Sequence, residues 1–134
     1  MSGPRVYIAG PISGPDVIAI LGNIRRGLQL SHKVLRAGFQ PFSPFTDFLF
    51  SLMGEVSIEE YYEYSMSWLR VSDCVLLVEG WESSKGTLKE IEEAESLGIP
   101  VFLRVQDLEK WAAYVREEQR LIKEVDAINQ KLNK

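Results

Sequence analysis

Residues 73–78 read DCVLLV, an acid followed by five apolar side chains in unbroken succession. A strand with one wetted face alternates polar and apolar positions, so an unbroken run predicts a strand covered on both sides. Strands of that kind belong to parallel sheets, and parallel neighbours need long crossovers, usually helical. The rest of the chain fits this requirement. Residues 5–9 (RVYIA) form a second short β-rich run, closed at once by glycine and proline in GPISGP, residues 10–15. Residues 17–37 are helical in pattern, with Leu21, Ile24, Leu28, His32 and Leu35 near one side and Ile20, Leu30 and Val34 at its margins. Gly38 stops that helix, and residues 39–42 make the next strand.

Residues 43–56 (SPFTDFLFSLMGEV) are irregular and too apolar for a plain solvated loop, so they read as a lid, a short helix or an oligomer contact. Ser57 and Glu60 fit a capping box that opens a helix reaching about residue 69. After the 73–78 strand come a loop over 80–86, a helix to residue 97 ended by Gly98, and a strand over 100–104. The order β-α-β-α-β-α-β predicts an α/β fold with a short parallel sheet and helices on both faces. Residues 107–134 are charged and helical. Glu118 interrupts the apolar stripe begun by Leu108, Trp111 and Val115, which predicts a kink or two packing faces there. This terminal helix either docks on its own domain or meets a second copy.

Composition narrows the function classes. The 134 residues suit one domain, with a core at 5–104 and a helical extension over 107–132. Fifteen Lys and Arg against 19 Asp and Glu leave a net charge of −4 with no basic run, which argues against a nucleic-acid surface. No apolar run approaches the roughly 18 residues of a membrane span, and no leader opens the chain, so the expected compartment is the cytoplasm. One Cys and one His build neither a disulfide nor a conventional zinc site, and neither a metal nor another cofactor is expected. Cys74, inside the apolar run, reads as core packing, and His32 as a structural histidine.

Two loops compete for a ligand at the carboxyl ends of the strands. Gly10, Pro11, Ile12, Ser13 and Gly14 either make a plain turn or present backbone amides to an anion, although no P-loop lysine follows. Gly80 to Thr87 lead into a helix that carries Glu90, which is either one of several solvated helix acids or a carboxylate facing a cleft. Trp81 suits either packing or stacking on a base. Asp73 reads as a cap for backbone amides beside the sheet.

YIAGPISG (residues 7–14), WLRVSD (68–73) and GWESSKGTLKE (80–90), in that order, resemble the nucleoside 2-deoxyribosyltransferase-like superfamily, which includes 2'-deoxynucleoside 5'-monophosphate N-glycosidases and small uncharacterised members. The resemblance spans residues 5–103. It implies a flavodoxin- or Rossmann-like three-layer sandwich and cleavage or transfer at an N-glycosidic bond. It implies Glu90 as the nucleophile and Tyr7 as the hydroxyl that orients it. It further implies that Gly10, Pro11, Ser13 and Gly14 face the sugar and phosphate, and that Ser84, Gly86 and Thr87 contact a 5'-phosphate. A homodimer or higher homo-oligomer is also implied. Two residues depart from the pattern: Ser65 stands where relatives place an Asp, and Ser13 where some place an Arg. A serine is no effective acid at neutral pH. Either the acid comes from elsewhere, a neighbouring subunit included, or the protein binds a nucleotide without turning it over.

Overall fold

A computed structural model describes residues 3–134. β1 (Arg5–Ala9) is the spine of its sheet, with Val6, Tyr7, Ile8 and Ala9 all fully buried. Each large side chain so buried contributes about 1.5–3 kcal/mol of hydrophobic stabilisation. α1 (Val17–Arg36) leads to β2 (Gln40–Phe42), a 3-10 helix spans Pro44–Leu52, and α2 (Ile58–Leu69) leads to β3 (Cys74–Leu77). A 3-10 turn at Trp81–Ser83, α3 (Lys85–Ser96) and β4 (Val101–Phe102) complete this part of the chain. All pairings are parallel and the strand order is β2-β1-β3-β4.

β3 is buried at every position, as its continuous apolar run requires. Its ends are one residue shorter at each side than the sequence suggests. Asp73, just outside, accepts a 2.7 Å hydrogen bond on Oδ2 from the Arg5 amide, the capping role expected of it. Tyr7, Ala9, Val75 and Leu77 share one face of the sheet and pack against Met66 and Leu69 of α2 and Ala94 of α3. Val6, Ile8, Cys74 and Leu76 turn to the opposite face. α1 belongs to that side, because right-handed crossovers leaving β1 in opposite directions put their helices on opposite faces.

The caps explain where the helices start. Asp16 Oδ1 accepts from the Ala19 amide at 2.8 Å. The Ser57–Glu60 capping box forms in both directions, at 3.1 and 3.5 Å. The buried side of α1 differs from the expected leucine stripe. Gly27, Ser31 and Val34 are buried, while Leu21, Leu28 and Leu35 are about half exposed and His32 is exposed. Small residues win the inward positions because the helix lies close on the 3-10 segment: a Cβ on Gly27 would collide with the ring of Phe45. β2 starts one residue later than expected. It is an edge strand and carries Pro41 opposite Val6. β4 is trimmed from the expected five residues to Val101–Phe102.

The chain divides into two compact units, the first ending at Arg104 and the second running Val105–Lys134. The second is one continuous helix, α4 (Val105–Leu132), whose buried residues, Leu108 and Ala112, both precede Glu118. An acid on a solvated helix costs little, and Arg120 binds Glu117 and Glu124 across adjacent turns at 2.5 Å. Leu121, Val125, Ile128 and Leu132 of this helix are exposed. Among the described residues no helix is long and apolar enough to cross a membrane.

Candidate active site

Since the four strands run the same way, the connections after β1, β2 and β3 meet at one edge. The chain leaves β1 toward β2 and leaves β3 toward β4, so a crevice opens between those connections. The two loops approach each other there: a Cβ on Gly80 would lie 3.8 Å from Pro11 Cγ, and Gly80 holds φ 92°, a conformation glycine adopts freely.

The first loop is held by its own packing. A Cβ on Gly10 would meet Val78 at 2.5 Å, and one on Gly14 would meet Ala19 at 2.7 Å. Both glycines therefore answer to close packing within the chain. The carbonyls of Ile12 and Ser13 accept from Asn23 Nδ2 of α1 at 3.2 and 3.0 Å. Pro11 is half-buried, and Ser13 is exposed.

The second loop builds a helix N-terminus. Ser84 caps α3, its Oγ accepting from the Thr87 amide at 3.2 Å and from Thr87 Oγ1 at 2.9 Å. Thr87 is buried, whereas a Cβ on Gly86 would point into open space. Neither crowding nor an unusual backbone conformation demands glycine at position 86. Trp81 packs against the core cluster of Tyr7, Met66 and Leu77, so its ring is largely a wall rather than a free stacking surface.

About one and a half turns into α3, Glu90 reaches Tyr7 of β1. Burial pushes the Glu90 carboxyl up to about 7, and its contact with Tyr7 only partly opposes that rise. The Tyr7 hydroxyl is held well above its ordinary range, by burial first and then by the charge of Glu90. The two groups are within each other's influence, yet neither Tyr7 Oη nor Glu90 Oε2 closes a hydrogen bond of normal length and angle. The contact is one of proximity. A buried acceptor left without a partner costs about 1–3 kcal/mol, and such groups concentrate where a protein does chemistry.

Ser65 of α2, half-buried, acts on both Tyr7 and Asp47. No sequence pattern signals Asp47, because it sits in the aperiodic 43–56 stretch. It is 7% exposed, its Oδ2 has no partner, and burial pushes its carboxyl up to about 6. Ser43 Oγ, at the end of β2, is buried and unpartnered as well. The aromatic wall beside these groups comes from three elements. Phe42 stacks between Tyr7 at 5.7 Å and Trp68 at 5.3 Å, and Phe50 meets Tyr64 edge-on at 5.8 Å. Glu63, near Ser65 in sequence, faces away and pairs with Arg70 at 3.5 Å.

The chain is a parallel α/β sandwich in the flavodoxin-like arrangement of strands, with a carboxylate buried near a tyrosine hydroxyl at the carboxyl edge of its sheet. The chain belongs to the family described as Domain of unknown function (DUF4406), whose model matches residues 4–103. Among solved structures it is similar to a 2-deoxyribosyltransferase from the psychrotolerant bacterium Bacillus psychrosaccharolyticus, with 22% identity, a TM-score of 0.52, and coverage of 72% of this chain and 69% of that one. That likeness establishes the fold. No curated protein matches the chain.

Proposed function

We propose that the protein cleaves or transfers the N-glycosidic bond of a nucleoside or nucleoside 5'-monophosphate. The observation that carries this reading is the buried, unpartnered Glu90 carboxylate beside Tyr7 at the β1/β3 crevice. The similar solved structure is that of a 2-deoxyribosyltransferase, and its activity supports the reading.

Breaking a C–N glycosidic bond builds positive charge on the sugar ring. A carboxylate on the face opposite the base stabilises that charge or bonds to the anomeric carbon. Glu90, poised near neutral pH by burial, supplies that oxygen as the base departs with the bonding electron pair. Tyr7, whose hydroxyl resists ionisation, holds the carboxylate in line. Water or a nitrogen of a second base then attacks the same carbon, and Glu90 leaves as carboxylate. Ser84 Oγ accepts twice from Thr87 and keeps its own proton to donate. With the amide of Gly86 at the positive end of α3, it suits a 5'-phosphate, the Thr87 amide being already taken by Ser84 Oγ.

The test is base release from a panel of ribo- and deoxyribonucleosides and their 5'-monophosphates, with and without an acceptor base. Wild type should release base from at least one, and Glu90→Gln should lose at least about 10³-fold of that rate. Full release by Glu90→Gln would overturn the reading. A second reading, a protein that binds a nucleotide without turnover, rests on Ser65 where the superfamily pattern has an acid. Tight binding by calorimetry with no base released after long incubation would favour it.

A further inference from the structure

An N-glycosidic bond to an uncharged base breaks slowly unless the leaving base receives a proton on a ring nitrogen. The groups gathered at the crevice can be tried in turn for that task. Glu90 must be ionised to serve the sugar. The Tyr7 hydroxyl is driven away from ionisation by burial and by Glu90. Ser65 and Ser43 are alcohols. The remaining group is Asp47, contributed by the 3-10 helix that follows β2.

Its placement is built rather than incidental. Phe45, 1% exposed, is clamped against the bare backbone of Gly27 in α1, and this fixes the segment over the strand ends. Two residues on, Asp47 is 7% exposed with Oδ2 unpartnered. The groups that meet it are Tyr7 from β1 and Ser65 from α2, and Glu90 from α3 acts on that same Tyr7. Two carboxyl groups thus share one tyrosine as neighbour. A protein of this size does not keep a second buried carboxyl with an unpartnered oxygen for stability, since burying it costs free energy.

We propose that Asp47 is the proton donor to the leaving base, taking the task that Ser65 cannot perform; this rests on the glycosidic reading of the site given above. In the first step the Asp47 carboxyl gives its proton to a basic ring nitrogen of the departing base, N7 in a purine, while the glycosidic nitrogen takes the C–N bonding pair and Glu90 takes the sugar. In the second, Asp47 as carboxylate accepts the proton of the attacking water, or of the acceptor base, and is ready again. The environment suits the cycle, because burial holds its carboxyl near pH 6, where both forms are populated close to neutrality.

The experiment compares two substrates in wild type, Asp47→Asn and Glu90→Gln: a purine nucleoside or monophosphate, and the same molecule methylated at N7. The methylated base is already cationic and leaves without a proton. Asp47→Asn should slow release of the plain base by about 10²- to 10⁴-fold and leave the methylated base within about fivefold of wild type. The alkaline-side limb of its pH profile, where the acid of the wild type loses its proton, should also disappear, while the acid-side limb set by ionisation of Glu90 remains. Glu90→Gln should lose both substrates. Asp47→Ser, a smaller side chain that also lacks the acid, carries the same expectation if the amide disturbs folding. Equal losses on both substrates, or no loss on either, with release still dependent on Glu90, would overturn the role of Asp47 and leave the glycosidic reading standing. No release of either base by wild type would remove that reading and this proposal together.

Discussion

Above neutral pH the folded chain holds Asp47 and Glu90 as buried anions that the unfolded chain would leave in water. Burial raises the first from 3.8 to about 6 and the second from 4.5 to about 7. Between those limits the folded state binds protons that the unfolded state has already lost. Stability therefore falls as pH rises through this window, being fully present below about pH 4. Urea midpoints should be higher at pH 5 than at pH 8. Asp47→Asn should raise the unfolding free energy at pH 8 by about 1–3 kcal/mol for relief of an unpartnered buried group, with a matching rise in the urea midpoint, and change little at pH 4. A flat wild-type profile over pH 4–8 would contradict this. Cys74 carries the opposite message: its buried thiol is pushed up to about 12, so it should resist alkylation in the native protein and react once unfolded. The motifs make Glu90 and Tyr7 visible as candidates in the sequence. Asp47 is not, because its role depends on Phe45 finding Gly27, a contact eighteen positions apart that no local pattern records.

At the scale of elements, α3 starts at Lys85, capped by Ser84, inside the stretch that reads as a loop over 80–86, whereas the capping box of α2 and the buried runs of β1 and β3 were all legible. Each of these is dictated by side chains a few residues apart. The inward face of α1 was not, since leucine is ordinarily the better core residue and only a tertiary close approach favours glycine and serine there. Gly27→Ala should accordingly be costly, about 1–3 kcal/mol of overpacking, although alanine is the better helix former. Its melting temperature should drop and activity should fall with it as the 3-10 segment shifts. Gly86→Ala should behave the other way. The added methyl meets no atom of the protein and lies in the first turn of a helix, so stability should hold or rise by about 0.5–1 kcal/mol. Phosphate-bearing substrates should bind more weakly to the same variant by calorimetry. If nucleotide affinity is unchanged in Gly86→Ala, the α3 terminus is not the phosphate contact.

Over the whole molecule, the sheet order follows from one central pair. β1 and β3 lie side by side in register from Val6 with Cys74 to Ala9 with Leu77, while β2 and β4 are short edges. Hydrogen exchange should be slowest for amides of β1 and β3 and faster in β4. Uniform protection across the four strands would argue against that hierarchy. The alternation of strands and helices was readable because each strand run is locally complete. The lengths of β2 and β4 were not, since an edge strand ends where its neighbour stops offering partners.

The open side of β2 has a consequence of its own. Gln40 directs its amide inward to the Pro4 carbonyl at 2.9 Å, so the next residue along, Pro41, turns its nitrogen outward, and proline has no hydrogen there to offer. A passing strand would find the middle rung of that edge missing. Copies of this protein can therefore crowd together at high concentration without zipping sheet to sheet into fibres from this side, and any lasting assembly across β2 must be made by side chains, which point mutations can adjust one at a time.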